Sequence, residues 1–355
     1  MILPTEAIGS IPRPQALIDA VKSWQDEKLS EAELRAIEQT ALAETIKCLE
    51  ATGSPGITDG EQTKPSFATY PLQGARNIAP GGVTIPFQDG HTRQLPRLTA
   101  GPFRYTTYAS AYLKAAKRLT NLPVKQAVIS PSALSLLYPS EGIRDYSREQ
   151  FIDDLLNEAE NDIRECLESG AYCVQIDFTE GRLALKLDPS ATLLRQFIEL
   201  NNRVLERFSP RQRLQLGVHS CPGGDCDSTH SADVDYAGLL PALFELKVTN
   251  FYLQMASERN REQVLELIRQ LIRPDQRIFI GVTDPISPAI ETAEQVCDRV
   301  EQSARYIPVE QLGTTDDCGF APFMDDTSTA RSLAFSKIAA RVKGTAMAAD
   351  RIAGR

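Results

Sequence analysis

One pattern constrains this chain more than any other. A short apolar or β-branched run is followed by a polar turn and a longer stretch of helical periodicity, and the unit recurs along the length. The short runs fall at residues 56–60, 96–100, 127–130, 173–177, 214–218, 250–254, 278–283 and 311–315. Between most of them the apolar spacing predicts amphipathic helices, as over 148–170 and 259–272. Ser147 stands before the first of these and Gly170 at its end, residue types that cap helices at those positions. Runs that are apolar throughout, rather than alternating, predict parallel strands covered on both faces. The chain therefore reads as α/β, and eight strands over 355 residues favour a (β/α)8 TIM barrel; a doubly wound sheet is the competing arrangement. There is no internal repeat, and residues 1–355 read as a single domain. The Pro-, Gly- and Gln-rich segment 61–95 is expected to form a long loop over the C-terminal mouth of the barrel. The first 30 residues read as an N-terminal extension wrapping over the same face.

Composition narrows the partners. Hydrophobic residues make up 42%, enough for a full core. A net charge of −9 argues against nucleic acid and anionic membranes, which select basic surfaces. No apolar run approaches the ~20 residues that span a bilayer. The N-terminus lacks the basic and apolar regions of a signal peptide. Seven scattered cysteines, an odd number in a large chain, predict a reduced, cytoplasmic protein. Oligomeric state is left open, a homo-oligomer included.

In a barrel of this kind the chemistry belongs just after the strands. Those positions hold Asp59, Gly60 and Glu61; Asp177 and Glu180; His219, Ser220 and Cys221; Gln254; Asp284; and Asp316, Asp317, Cys318 and Gly319. His219 and Cys221, two apart on an extended segment, point the same way. Cys318 can join them from another strand end. One imidazole and two thiolates favour Zn2+ over harder cations, and three protein ligands leave a coordination position open. Such zinc lowers the pKa of a coordinated thiol, and the thiolate is the nucleophile in alkyl transfer to sulfur. The thiol substrate is thus the expected partner. A rival reading joins Cys221, Cys226 and His230 in a small structural zinc knuckle. His91, in a polar QDGHTR stretch, reads as solvated. Glu61 and Asp177 are candidate partners of a substrate amine. Asp284 is the candidate catalytic carboxylate, although an Asp after a strand also serves as a helix N-cap, as it could at Asp316.

Six stretches taken in order carry a family resemblance: IGSIPRP (8–14), TDGEQ (58–62), QIDFTEGRLA (175–184), HSC (219–221), GVTDPISP (281–288) and DDCGF (316–320). Together they resemble the C-terminal catalytic barrel of cobalamin-independent methionine synthase, most closely its short, single-barrel members. The resemblance implies zinc held by His219, Cys221 and Cys318, an amino-acid carboxylate near Ile8, Gly9 and Ser10, and an ammonium group bound by Glu61 and Asp177. It implies a zinc-dependent methyltransferase acting on homocysteine. Three departures stand out. Gln254 occupies the place of the family's fourth ligand, a Glu; Ile286 replaces a His that protonates the folate leaving group; and the pterin-stacking Trp is absent, Trp24 being the only tryptophan. The methyl donor could then be an unusual folate, a methylated corrinoid protein or a small methyl compound. Two other functions remain in play: a coenzyme M-type thiol alkyltransferase or epoxide lyase, and a metal-free barrel of the uroporphyrinogen decarboxylase superfamily.

Overall fold

The computed structural model describes residues 2–354. Its centre is a six-stranded parallel sheet in sequential order: β1 (Gln126–Ile129), β2 (Val174–Asp177), β3 (Leu216–Ser220), β4 (Asn250–Leu253), β5 (Arg277–Thr283) and β6 (Leu312–Asp316). Every residue of β2, β3, β4 and β6 is buried. That fits a parallel sheet covered on both faces: helices cover the outside, and side chains, polar ones such as Gln175 and Thr314 included, fill the inside. Among those helices, Arg148–Glu168 begins with a capping box between Ser147 and Gln150 and stops short of Gly170, whose φ is 78°. The expected helix at 259–272 runs over Arg261–Leu271.

Two further segments flank the sheet. Ile57 bridges in parallel to Val124, just before β1, and Thr5 bridges in parallel to Thr314 of β6. The flanks then meet, Thr58 Oγ1 donating to Gly9 O at 2.9 Å and Ile11 N–H to Gly60 O at 3.0 Å. Two strand-level expectations are thereby corrected. Residues 96–100 supply no barrel strand; Arg97–Leu98 pairs antiparallel with Ile78–Ala79 in a surface ribbon, where Pro96 removes a backbone donor and only Leu98 is buried. No place is left for it beside β1, since Ile57 borders Val124 directly; the remaining flank, beside β6, is taken by residues near Thr5, within the segment read as an extension. That segment hides its role because it buries a charge: Glu6 Oε2 accepts from Tyr252 Oη at 2.6 Å and lies 3.4 Å from Lys125 Nζ. A small interior cluster of Ile8, Cys173, Tyr252 and Phe279 fills the space beside them.

The 61–95 segment is more ordered than a loop. Thr84–Pro86 and Thr92–Gln94 form an antiparallel ribbon, which roofs the cavity described below. Among the described residues no helix is long and apolar enough to cross a membrane.

Candidate metal centre and substrate cavity

His219 is the next-to-last residue of β3, Cys221 follows the strand, and Cys318 lies two residues beyond β6. Their ligand atoms all fall within 4.8 Å of one another, and the two sulfurs are 3.2 Å apart. His219 Nδ1 lies 3.3 Å from Tyr252 O, which holds the proton on Nδ1. Its Nε2 is buried with no hydrogen-bond partner. A buried ring nitrogen without a partner is costly, and its lone pair lies beside two thiols. The hydrogen bond that the Cys318 thiol donates to Cys221 Sγ, and burial, hold the Cys318 thiol well above its ordinary pKa. A divalent cation would invert that preference and take all three atoms as ligands. The donor set therefore fits zinc. The loop after Cys221 is shaped around it: Gly223 N–H donates to Cys221 Sγ at 3.3 Å. Gly223 has φ 70°, and a Cβ there would sit 1.7 Å from His230 Nε2.

His219 and Cys318 line a cavity of about 70 Å³. Ile8, Gly9 and Ser10 form another part of its wall, with Glu61 and Asp177. Ser10 is fixed against the Cys318 loop, its carbonyl accepting from Phe320 N–H at 2.9 Å and its Oγ from Ala321 N–H at 3.2 Å. Gly319 permits that approach, since a Cβ there would meet Ser10 Oγ at 2.2 Å. Asp177 pairs in register with His219, and its Oδ1 accepts from Gln175 Nε2 at 2.7 Å. Glu61 Oε1 accepts from the buried Lys64 ammonium at 3.1 Å. Burial raises the pKa of both acids; Lys64 opposes this at Glu61 and His219 opposes it at Asp177.

The roof comes from the ribbon, through Ile85, Phe87 and Arg93. Arg93 reaches Asp225 at 2.5 Å and Asp325 at 2.9 Å. His91 is not solvated as expected: it bonds Asp89 and Asp225 and stacks on Phe87 at 4.3 Å. Asp225 belongs to the hairpin after Cys221, so the roof is clipped to the loop that carries a candidate ligand.

Cys318 also lines a second cavity of about 220 Å³, with Gln254, Asp284, Ile286, Asp317 and Arg182. Gln254 Nε2 donates to Ser257 Oγ at 2.7 Å, while its buried Oε1 has no partner. Asp284 thus sits apart from Glu61 and Asp177. It is no helix N-cap; its Oδ1 accepts from Ile286 N–H, and Thr292 caps the following helix. Asp316 pairs instead with Arg341 at 3.0 Å. Burial and the neighbouring Asp284 push Asp317 up to about 6. The knuckle of Cys221, Cys226 and His230 is not assembled among the described residues: Cys226 groups with His91 and Asp225, and His230 Nδ1 bonds Ser231 Oγ at 2.6 Å. Sequence reasoning missed Lys64, Arg93 and Asp225, because each lies in a loop or a short surface ribbon rather than at the end of a barrel strand; His230 reads from the sequence only as a knuckle ligand.

A family profile described as the catalytic domain of cobalamin-independent synthase matches residues 3–341. The chain belongs to that family. Methionine synthase from Saccharolobus solfataricus is 21% identical over 346 residues, 97% of this chain and 94% of the relative. The enzyme of the same name from Sulfurisphaera tokodaii is 21% identical over 344 residues. Among solved structures, a B12-independent methionine synthase from Shewanella sp. W3-18-1, in complex with selenomethionine, superposes with a TM-score of 0.79 at 20% identity over 100% of both chains. A putative vitamin-B12 independent methionine synthase from Listeria monocytogenes gives 0.73 at 23% identity over 98% of both. Those likenesses establish the shared fold.

Proposed function

We propose that this member of the family is a zinc-dependent methyltransferase that moves a methyl group onto a thiol, with homocysteine as acceptor and methionine as product. The observation that carries the reading is the partnerless His219 Nε2 beside the sulfurs of Cys221 and Cys318. His219, Cys221 and Cys318 would hold the metal. Zinc bound there would lower the pKa of an incoming thiol enough to keep it as thiolate at neutral pH.

The protein's own groups orient the substrate. Glu61 and Asp177 meet the ammonium, while Ile8, Gly9 and Ser10 lie along the same wall for the carboxylate. A thiol without an amine would leave two buried acids unused, which favours an amino acid over coenzyme M. A metal-free role would leave the His219 nitrogen buried without a partner. Ile85 and Phe87 roof the cavity and keep water from the nucleophile.

The donor enters through the second cavity, and Cys318 and Gly224 line both spaces. Asp284, which lines that cavity with Asp317 and Glu258, would serve as the carboxylate on the donor side. Among the described lining residues there is neither an aromatic ring nor an imidazole. That favours a methylated corrinoid protein or a small methyl compound over a methylfolate. Seven free cysteines support a reducing, cytoplasmic setting.

The test is an assay of zinc-loaded protein with homocysteine and folate, corrinoid and sulfonium methyl donors in parallel. Methionine formed from at least one donor, and abolished by chelation, is the expected outcome. Alkylation of coenzyme M with no methylation of homocysteine would overturn the proposal.

A further inference from the structure

Lys64 has no exposed side-chain surface, yet it is charged and stands directly behind the substrate cavity. Its ammonium donates to Glu61 Oε1 at 3.1 Å and to Ala127 O at 2.9 Å. The Tyr70 ring lies 4.6 Å from Nζ. Two oxygens and a π face account for the three donors of the group.

The turn that carries Glu61 and Lys64 is itself fixed. Arg13 donates to the carbonyls of Glu61 at 2.6 Å and Lys64 at 3.1 Å. Lys64 N–H donates to Glu61 O at 3.2 Å, and Glu61 N–H donates to Asp59 Oδ1 at 3.1 Å. Glu61 sits at φ 53°, a left-handed conformation uncommon outside glycine, so its side chain leaves the turn in a set direction. With Oε1 pinned by Lys64, Oε2 has no protein partner; across the cavity Asp177 has Oδ1 bonded to Gln175 and Oδ2 free.

We propose that Lys64 is a positioning residue that makes this cavity select thiols carrying an ammonium group over otherwise identical thiols without one. The inference rests on the thiol-binding reading above and extends it to substrate choice. Two buried carboxylates facing one small space repel each other and resist ionisation together. The Lys64 charge offsets one of them, leaving this pair of acids with one unbalanced negative charge and two free acceptor oxygens. A single ammonium completes that arrangement. Without Lys64, Glu61 would be buried without its cation, and would take up a proton or turn away from the cavity. The pinned acceptor would then be lost. A thiol with no ammonium makes no use of that acceptor and is indifferent to the loss.

The experiment is calorimetric titration of the full-length, zinc-loaded protein with L-homocysteine and with γ-mercaptobutanoate, which lacks only the amino group. Lys64→Met should weaken homocysteine binding by about tenfold or more and γ-mercaptobutanoate binding by less than about twofold, since the lost interaction is a charge-assisted one. Lys64→Gln keeps a hydrogen-bond donor without the charge. It should fall between the two, and it provides the test if the Met variant does not fold. Parallel weakening of both ligands, or unchanged discrimination in the folded variants, would overturn the proposal and leave Lys64 a structural residue. Wild-type protein that binds neither thiol would overturn the thiol reading and this inference with it.

Discussion

Cys221 and Cys318 stand 97 residues apart in the chain, yet their sulfurs lie 3.2 Å from each other. They follow different strands, β3 and β6, and reach one point because both strands end on the same face. Cys221 Sγ also accepts from Gly223 N–H, whereas the hydrogen bond of the Cys318 sulfur is the one shared with Cys221. Cys318→Ala is therefore expected to leave a folded protein that has lost its metal, because two protein ligands rarely hold catalytic zinc. Cys226→Ser should retain the metal. Elemental analysis of the two variants side by side checks the pair, and metal loss from Cys226→Ser would favour the knuckle.

Gly223 predicts a local failure. Its φ of 70° and the 1.7 Å approach of His230 Nε2 leave no room for a methyl group. Gly223→Ala should cost about 2 kcal/mol or more through backbone strain and displacement of the imidazole. It should also weaken metal binding, because Gly223 N–H supports Cys221 Sγ. Urea denaturation with metal quantitation reads both effects.

His230 predicts a pH dependence. Burial, and then the charge of Lys186, push its pKa down to about 4 from 6.5. The unfolded chain takes up this proton first, so the neutral buried ring stabilises the fold above pH 6.5, and that contribution fades as pH falls toward 4. The full shift corresponds to roughly 3 kcal/mol. Stability curves of wild type and His230→Gln should converge as the medium is acidified across this window. Parallel curves would contradict the assignment.

The Arg93–Asp225 pair predicts how the roof behaves. The two ribbon strands pair with each other, Gln88 N–H in their turn donates to Thr229 O at 3.0 Å, and Asp225, with no exposed side-chain surface, takes both Arg93 and His91. Asp225→Asn should loosen the ribbon, speed proteolysis within residues 83–95 and raise KM for the thiol by roughly three- to tenfold, with kcat little changed. Limited proteolysis and steady-state kinetics test the two halves separately.

These relationships differ in how far the sequence reveals them. Buried parallel strands announce themselves as short runs of mainly apolar and β-branched residues, which is why β1 to β6 are legible within a few residues. The segment around Thr5 is not, because Pro4 and the buried Glu6 break the apolar pattern, and Glu6 is tolerated only through Tyr252 and Lys125. Residues 96–100 mislead in the opposite sense, carrying β-forming residues into a surface ribbon. His219, Cys221 and Cys318 are legible because strand ends on one barrel face must converge. Lys64, Arg93 and Asp225 act through partners up to 232 residues away in loops, where no periodicity reports them.

The measurement that bears most directly on the central claim is the zinc content of the purified full-length chain, before and after exposure to a chelator and re-addition of the metal. About one zinc per chain, bound by wild type and not by Cys318→Ala, is the expected result for a three-ligand catalytic site. Folded wild-type protein that carries well under one zinc and takes none up on re-addition would contradict it.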